Sequence, residues 1–249
     1  MKLLNEEVVE NTNKILLLND ELITSQQKLK EAIASKDRFF SIIAHDLRNP
    51  FVVLLNNSEL LEKYYQKMDD AEKMRIILLI KNASANTYSL LENLLQWAST
   101  QLGIIEFSPF EINLHDLVLK MIMILKPLAE QKQLSLSMNI PEDIIVYCDM
   151  EMIKTVINNL ITNSIKFTRP SGEILVGMLV DHYKNEYVIY IRDTGIGMSP
   201  DILDGLFQID KKISRKGTEG EPSTGLGLLI CKEFIEKHGG KITVTSQLG

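Results

Sequence analysis

Apolar residues recur along the first hundred positions with the period of a helix. Leu4, Val8, Ile15, Leu18, Leu22, Leu29 and Ala32 fall at steps that follow a seven-residue repeat, with Asn11 and Ser25 filling the gaps. This is the seam of a coiled coil with two polar positions, which fix register and strand number at some loss of stability. One amphipathic helix on a globular core would show a similar stripe. The coiled coil is preferred because neither Gly nor Pro occurs before Pro50 and the region is rich in Glu, Lys, Asn and Gln. The pattern continues through Phe39, Ile42 and Ile43 and resumes at Phe51, Leu54, Leu55, Ser58 and Leu61. Pro50 falls inside it. A proline there forfeits the helical hydrogen bond to the carbonyl of residue 46, so one kinked helix is expected. After a break near 66–70, a second long helix is expected over about residues 71–100. Its apolar positions include Met74, Ile77, Leu78, Leu91, Leu94, Leu95 and Ala98. One such hairpin has a thin core. Two from two chains would close a four-helix bundle, so a parallel homodimer is expected.

Gly103 marks a change of grammar. Residues 104–112 read as a short strand with Pro109 at an edge position. Asn113 can cap a helix reaching about Gln131, and Asp149 can cap a helix over 150–168. Strands are expected at 134–140, 144–148, 173–181, 186–192 and 241–245, and a further helix at about 225–237. Helices separate from a mostly antiparallel sheet, which is an α+β sandwich. The fold expected is therefore an all-α helical hairpin, a dimeric four-helix bundle with an N-terminal coiled coil, followed by an α+β sandwich.

Composition narrows the partners. The chain of 249 residues is 45% hydrophobic and carries a net charge of −6. That balance argues against nucleic acid while leaving room for a local basic patch. Cys148 and Cys231 lie far apart among apolar neighbours, which predicts buried, reduced thiols. The N-terminus lacks a signal peptide's apolar core. The longest apolar window, 117–125, is interrupted by Lys120 and is too short to span a bilayer, so no membrane contact by this fragment is expected.

Candidate chemistry lies in four stretches. His45, a candidate nucleophile, shares a helical face with Arg48 and Asn49, whereas Asp46, its immediate neighbour, should not face it. Taken alone, a lone helical histidine is sooner read as a solvated or core side chain. In the helix 150–168, Ile153, Ile157, Leu160, Ser164 and Phe167 form one stripe, and Thr155, Asn159, Thr162, Asn163 and Lys166 line another face. Asparagine is a poor helix former, so its density there asks for a reason. An amide oxygen suits Mg²⁺ and a lysine suits phosphate, although a solvated polar face explains the same residues. Asp193 ends a strand and is followed by Gly195 and Gly197. An ordinary turn reads this way. A carboxylate that accepts from the exocyclic amine of adenine, with backbone brought close to the base, does too. The long polar segment 199–223 carries Lys211, Lys212, Arg215 and Lys216, a cluster suited to a triphosphate. It ends in Ser223-Thr224-Gly225-Leu226-Gly227-Leu228, glycines opening a helix whose N–H groups can face an anion.

In order and spacing these stretches resemble the ATP-binding domain of sensor histidine kinases, within the GHKL ATPases that include gyrase, Hsp90 and MutL. Residues 159–168 look like the N box, 193–197 like the first glycine box, Leu206-Phe207 like the F box and 225–228 like the second glycine box. Residues 40–50 look like the H box of the dimerisation and phosphotransfer domain. The resemblance implies that ATP–Mg²⁺ phosphorylates His45 and that the phosphoryl group passes to an aspartate of a response regulator receiver domain. It gives Asp46 the role of holding the imidazole, which needs a side-chain bend. It gives Asn49 the orientation of water in regulator dephosphorylation. Asn163 becomes the Mg²⁺ ligand with Asn159 close by, Lys166 meets phosphate, Asp193 reads adenine, and 199–223 is the ATP lid. The implied domains are a signalling coiled coil at 1–34, the phosphotransfer domain at 35–102 and the ATP-binding domain at 103–249. The setting implied is the cytoplasm, free or as the inner part of a membrane-bound sensor. Family members commonly continue into a last strand, so a missing edge strand is expected here. A GHKL-type ATPase and an inactive kinase-like dimeric binding module are the alternatives.

Overall fold

The computed structural model describes residues 2–101, 106–181, 186–208, 215–221 and 225–248. They divide into two compact units, Met1–Asp46 and Leu47–Gly249. Both contain part of helix α1, which runs without interruption over Lys2–Tyr64 with Pro50 inside it. The proline therefore interrupts one hydrogen bond and does not start a new helix.

In the first unit, Ile15, Leu18, Leu22 and Leu29 are each more than half exposed. Among the described residues, these four positions of the apolar seam stay open.

In the second unit, α1 ends in a 3-10 turn, Tyr65–Lys67, and α2 follows over Asp70–Gln101. Asp69 and Glu72 form a reciprocal cap at its start. The Glu72 N–H donates to Asp69 Oδ1 at 2.7 Å, and the Asp69 N–H donates to Glu72 Oε2 at 3.2 Å. The covered positions on α2 include Ile76, Ile80, Ala83, Thr87, Leu90 and Leu94, and on the end of α1 Leu54, Asn57 and Leu61. Both sets follow alternating steps of three and four, so each helix turns one narrow stripe inward. A second stripe stays open: Phe51 is 51% exposed, Leu55 61%, Met74 56%, Ile77 46% and Leu95 58%.

The remainder is a layer of helices over small sheets. β1 (Phe110–Asn113) pairs antiparallel with β3 (Ile145–Cys148). β2 (Ser135–Asn139) pairs parallel with β4 (Glu173–Asp181), which pairs antiparallel with β5 (Glu186–Asp193). Among the described residues these form two sheets, of order β1-β3 and β2-β4-β5. The parallel pair arises because the chain crosses through β3 and a helix between its two strands. Helices α3 (Leu114–Gln131) and α4 (Met150–Phe167) bury Leu117, Val118, Ile122, Ile157, Ile161 and Ile165 against Ile174 and Val176 of β4. α5 (Pro200–Gly205) is a short turn of helix, and α6 (Leu226–Lys237) packs on α4. Asn113 and Asp149 both cap as expected.

Two expected strands differ. In place of 104–112, the strand begins at Phe110, because Pro109 has no N–H to give a ladder; residues 104 and 105 lie outside the described residues. Residues 241–245 alternate between open and half-buried but form no ladder. Alternation sets which side chains face inward, whereas a strand also needs a partner for its backbone. No helix among the described residues is long and apolar enough to cross a membrane.

Candidate functional site

In α1, the sequence rule that neighbours one apart do not face each other is overridden. His45 Nδ1 lies 2.9 Å from Asp46 Oδ1. A carboxylate can only accept, so Nδ1 carries the proton, and in the neutral ring Nε2 keeps its lone pair. The histidine side chain is 59% exposed and the aspartate side chain 16%. Asn49 is exposed on the same helix.

α4 is the base of a second cluster. Asp149 Oδ1 accepts from the N–H groups of Glu151 and Met152 at 3.1 Å each, and its Oδ2 accepts from the Ser108 N–H at 3.0 Å. The buried face is formed by Met152, Ile153, Val156, Ile157, Ile161, Ser164 and Ile165. Leu160 and Phe167 sit at its margin, half-buried. Thr155, Asn159, Thr162, Asn163 and Lys166 are all half-buried too, while the adjacent Asn158 is exposed. Asn159 Nδ2 is buried and makes no hydrogen bond to nitrogen or oxygen. Its amide oxygen lies 3.2 Å from where a Cβ on Gly227 would stand, so a side chain there would crowd it. This brings the asparagine helix and the second glycine motif together.

Asp193 sits at the end of β5 with both carboxylate oxygens engaged. The Ser164 hydroxyl donates to Oδ2 at 3.0 Å, and the Gly195 N–H donates to Oδ1 at 3.0 Å. The Ile196 N–H donates to the Phe167 carbonyl at 3.1 Å, which lays the glycine loop against the last turn of α4. A Cβ on Gly195 would stand 2.7 Å from that carbonyl. Gly197 has φ +63°, and a Cβ on it would collide with the Gln247 carbonyl. The Arg215 Nη1 donates to the Gly197 carbonyl at 3.1 Å. Gly225 begins α6 in the left-handed region, φ 72°, with no side-chain cap. Lys212 and Thr224 lie outside the described residues; Leu206 and Phe207 are half-buried.

Burial pushes the Lys166 amine down, and the charge of Glu221 pushes it back up in part. Burial raises the Cys148 thiol to about 11 and the Cys231 thiol to about 12, the latter partly offset by the Asn159 amide. Both cysteines are buried and free, as expected. Among the described residues no three His, Cys, Asp or Glu side chains gather to hold a metal. The donor set here is instead amide oxygen, which is hard and neutral. Mg²⁺ is commonly held by a few protein oxygens and completed by phosphates, so Asn163 fits it.

Sequence reasoning missed Ser164, Lys132, Thr218 and Glu221. Ser164 left a signal, since a hydroxyl in an apolar stripe must find a partner. The others meet only through the tertiary fold.

Two stretches of the chain match known families. Residues 148–249 match the family described as histidine kinase-, DNA gyrase B- and HSP90-like ATPase, and residues 35–103 match the His Kinase A (phospho-acceptor) domain. Sensor protein GacS of Pseudomonas syringae pv. syringae is 30% identical over 98% of this chain and 27% of its own length. Adaptive-response sensory kinase SasA of Prochlorococcus marinus is 30% identical over 96% of this chain and 63% of its own. The chain thus spans less than two thirds of these relatives. In fold it is similar to Acinetobacter baumannii histidine kinase AdeS, with TM-score 0.59, 21% identity, 77% of this chain and 86% of that one. It is also similar to histidine kinase ThkA solved with response regulator TrrA, with TM-score 0.65, 21% identity, 86% of this chain and 58% of that one.

Proposed function

The chain belongs to the sensor histidine kinases of two-component systems, and on that premise we propose that it phosphorylates His45 from ATP and passes the group to an aspartate of a response regulator. The observation that carries the proposal is the exposed His45 imidazole, held through Nδ1 by Asp46. Nε2 attacks the γ-phosphorus. An N–P bond forms, the P–O bond to the β-phosphate breaks, and ADP leaves with the electron pair. The ring gains positive charge as the bond forms, and the Asp46 carboxylate lies where that charge develops. In the second step a regulator carboxylate attacks the same phosphorus, the N–P bond breaks, and the ring returns to neutral.

The nucleotide site proposed is the α4 face with the two glycine loops. Asp193, fixed by Ser164 and Gly195, accepts from the adenine amine. Gly195 and Gly197 let the loop lie close to the base, and Asn159 and Lys166 face the phosphates, as do the N–H groups opening α6 at Gly225, Leu226 and Gly227. Lys212, Arg215 and Thr224 complete the phosphate contacts. Asn163 would hold Mg²⁺ through its amide oxygen, and the ion supplies charge neutralisation on the phosphates. Asn49 orients a water in the reverse, phosphatase direction. The open stripe through Phe51, Leu55, Met74, Ile77 and Leu95 supports a homodimer closed as a four-helix bundle, continued upstream by the 1–34 coiled coil. The domains on this reading are 1–34, 35–102 and 103–249, and the setting is the cytoplasm.

Incubation of the full chain with γ-labelled ATP and Mg²⁺ tests this. An acid-labile, base-stable label that disappears in His45→Gln is expected. ATP turnover that survives His45→Gln with no label on the protein would overturn it.

A further inference from the structure

Lys132 follows α3 and is 6% exposed. Its Nζ donates to the Ile165 carbonyl at 2.9 Å, to the Lys166 carbonyl at 3.0 Å and to Glu221 Oε1 at 2.6 Å. All three donor positions of the ammonium are used, two on the last turn of α4 and one on the segment between the glycine motifs. That segment folds over the contact. The Gly217 N–H donates to the Glu221 carbonyl at 2.8 Å, and the Glu219 N–H donates to Glu221 Oε2 at 2.8 Å. Thr218 adds its N–H to the Lys166 carbonyl at 2.9 Å and its hydroxyl to the Thr168 carbonyl at 3.1 Å. Residues 217–221 are therefore a closed turn with the Glu221 carboxylate at its centre, seated on the residue expected to meet phosphate.

We propose that Lys132 is a positioning residue of the nucleotide site: anchored on the carboxyl end of α4, it grips Glu221 and so fixes the 217–221 turn beside Lys166. The proposal rests on the reading that α4 and the glycine loops bind ATP. A buried ammonium makes a stiff anchor, because leaving its partners would strand a charge in the interior. Two residues before the turn, Arg215 bonds the Gly197 carbonyl. The segment 215–221 is thus tied at one end to the first glycine loop and at the other to the last turn of α4. Glu221 also favours the charged form of Lys166 against the burial that opposes it. Loss of the grip should weaken ATP binding twice over, through a displaced segment and through a less charged Lys166.

Lys132→Met, Glu221→Gln and the double variant of the full chain test this by three readouts. Melting separates stability from position, since the singles leave a charge unpaired and the double does not. The expected result is a lowered melting temperature in the singles that recovers in the double. KM for ATP in autophosphorylation should rise roughly tenfold in all three, with kcat changed by less than about twofold. Trypsin, without nucleotide, should cut after Arg215 or Lys216 roughly tenfold faster in all three. A double variant with native KM, a loss in kcat alone, or unchanged cleavage overturns the proposal. A native chain with no affinity for ATP overturns the site reading as well, and the nucleotide-free cleavage rates tell the two failures apart.

Discussion

His45 Nδ1 and Asp46 Oδ1 stand 2.9 Å apart although the two residues are consecutive in one helix. The carboxylate lies at the near ring nitrogen of an exposed imidazole, and the proposed attack is through Nε2. Asp46→Asn keeps the shape and removes the charge. The initial rate of His45 phosphorylation should fall by roughly 10²-fold or more, with ATP affinity unchanged, as expected when charge developing in the transition state loses its partner. Single-turnover labelling at saturating ATP reads it, and a rate within about twofold of native would refute the role.

Ser164 holds Asp193 Oδ2 from the buried side of α4. Ser164→Ala frees the carboxylate to rotate. The bond to a charged group is worth about 1.5–3 kcal/mol, so Kd for ATP should rise by roughly tenfold or more. Preference for ATP over GTP should narrow, because discrimination depends on where that carboxylate points. Titration calorimetry with both nucleotides decides it; an unchanged ratio would mean that Asp193 does not read the base.

Burial pushes the Glu221 carboxyl up, but the hydrogen bond from Lys132, backbone N–H groups and the Lys132 charge together bring it below the usual range. The folded chain then binds fewer protons at this group than the unfolded chain. Its contribution is complete above the ordinary carboxylate pKa and is lost as pH falls through the depressed value. The melting temperatures of the native chain and Glu221→Gln should therefore differ at neutral pH and converge in acid. A gap that stays constant down the titration would contradict this.

The open stripe on α1 and α2 has a direct test. Leu55→Lys or Ile77→Lys places a charge where a second copy would bury methyl groups. Sedimentation should show the native chain as a dimer and the variants shifted to monomer, with helix content kept. A dimer that survives both substitutions would mean that another face joins the copies.

Much of this was legible from spacing. The caps Asn113 and Asp149, the helices they start, and strands β2 to β5 all follow local rules that tertiary contacts reinforce. Pro50 inside α1 was legible because the apolar rhythm matches on both sides. That 241–245 forms no ladder was not legible: alternation carries no information about the partner that a strand needs. Asp46 was misplaced by backbone geometry alone, since one side-chain rotation brings it to the ring. Lys132 looked like an ordinary charge after a helix. Its meaning lies in Glu221, far along the chain, and no local pattern joins them.

β5 ends in Asp193 and, among the described residues, borders its sheet with nothing paired along its outer side. Tyr187 and Val188 on it are open to solvent. An uncovered strand margin is a template on which unrelated polypeptide can lay itself down. A nucleotide gripping the carboxylate at that strand's tip would steady the whole margin. Keeping purified stocks loaded with ADP should then slow their clouding on storage, an everyday benefit of the ligand that has nothing to do with signalling.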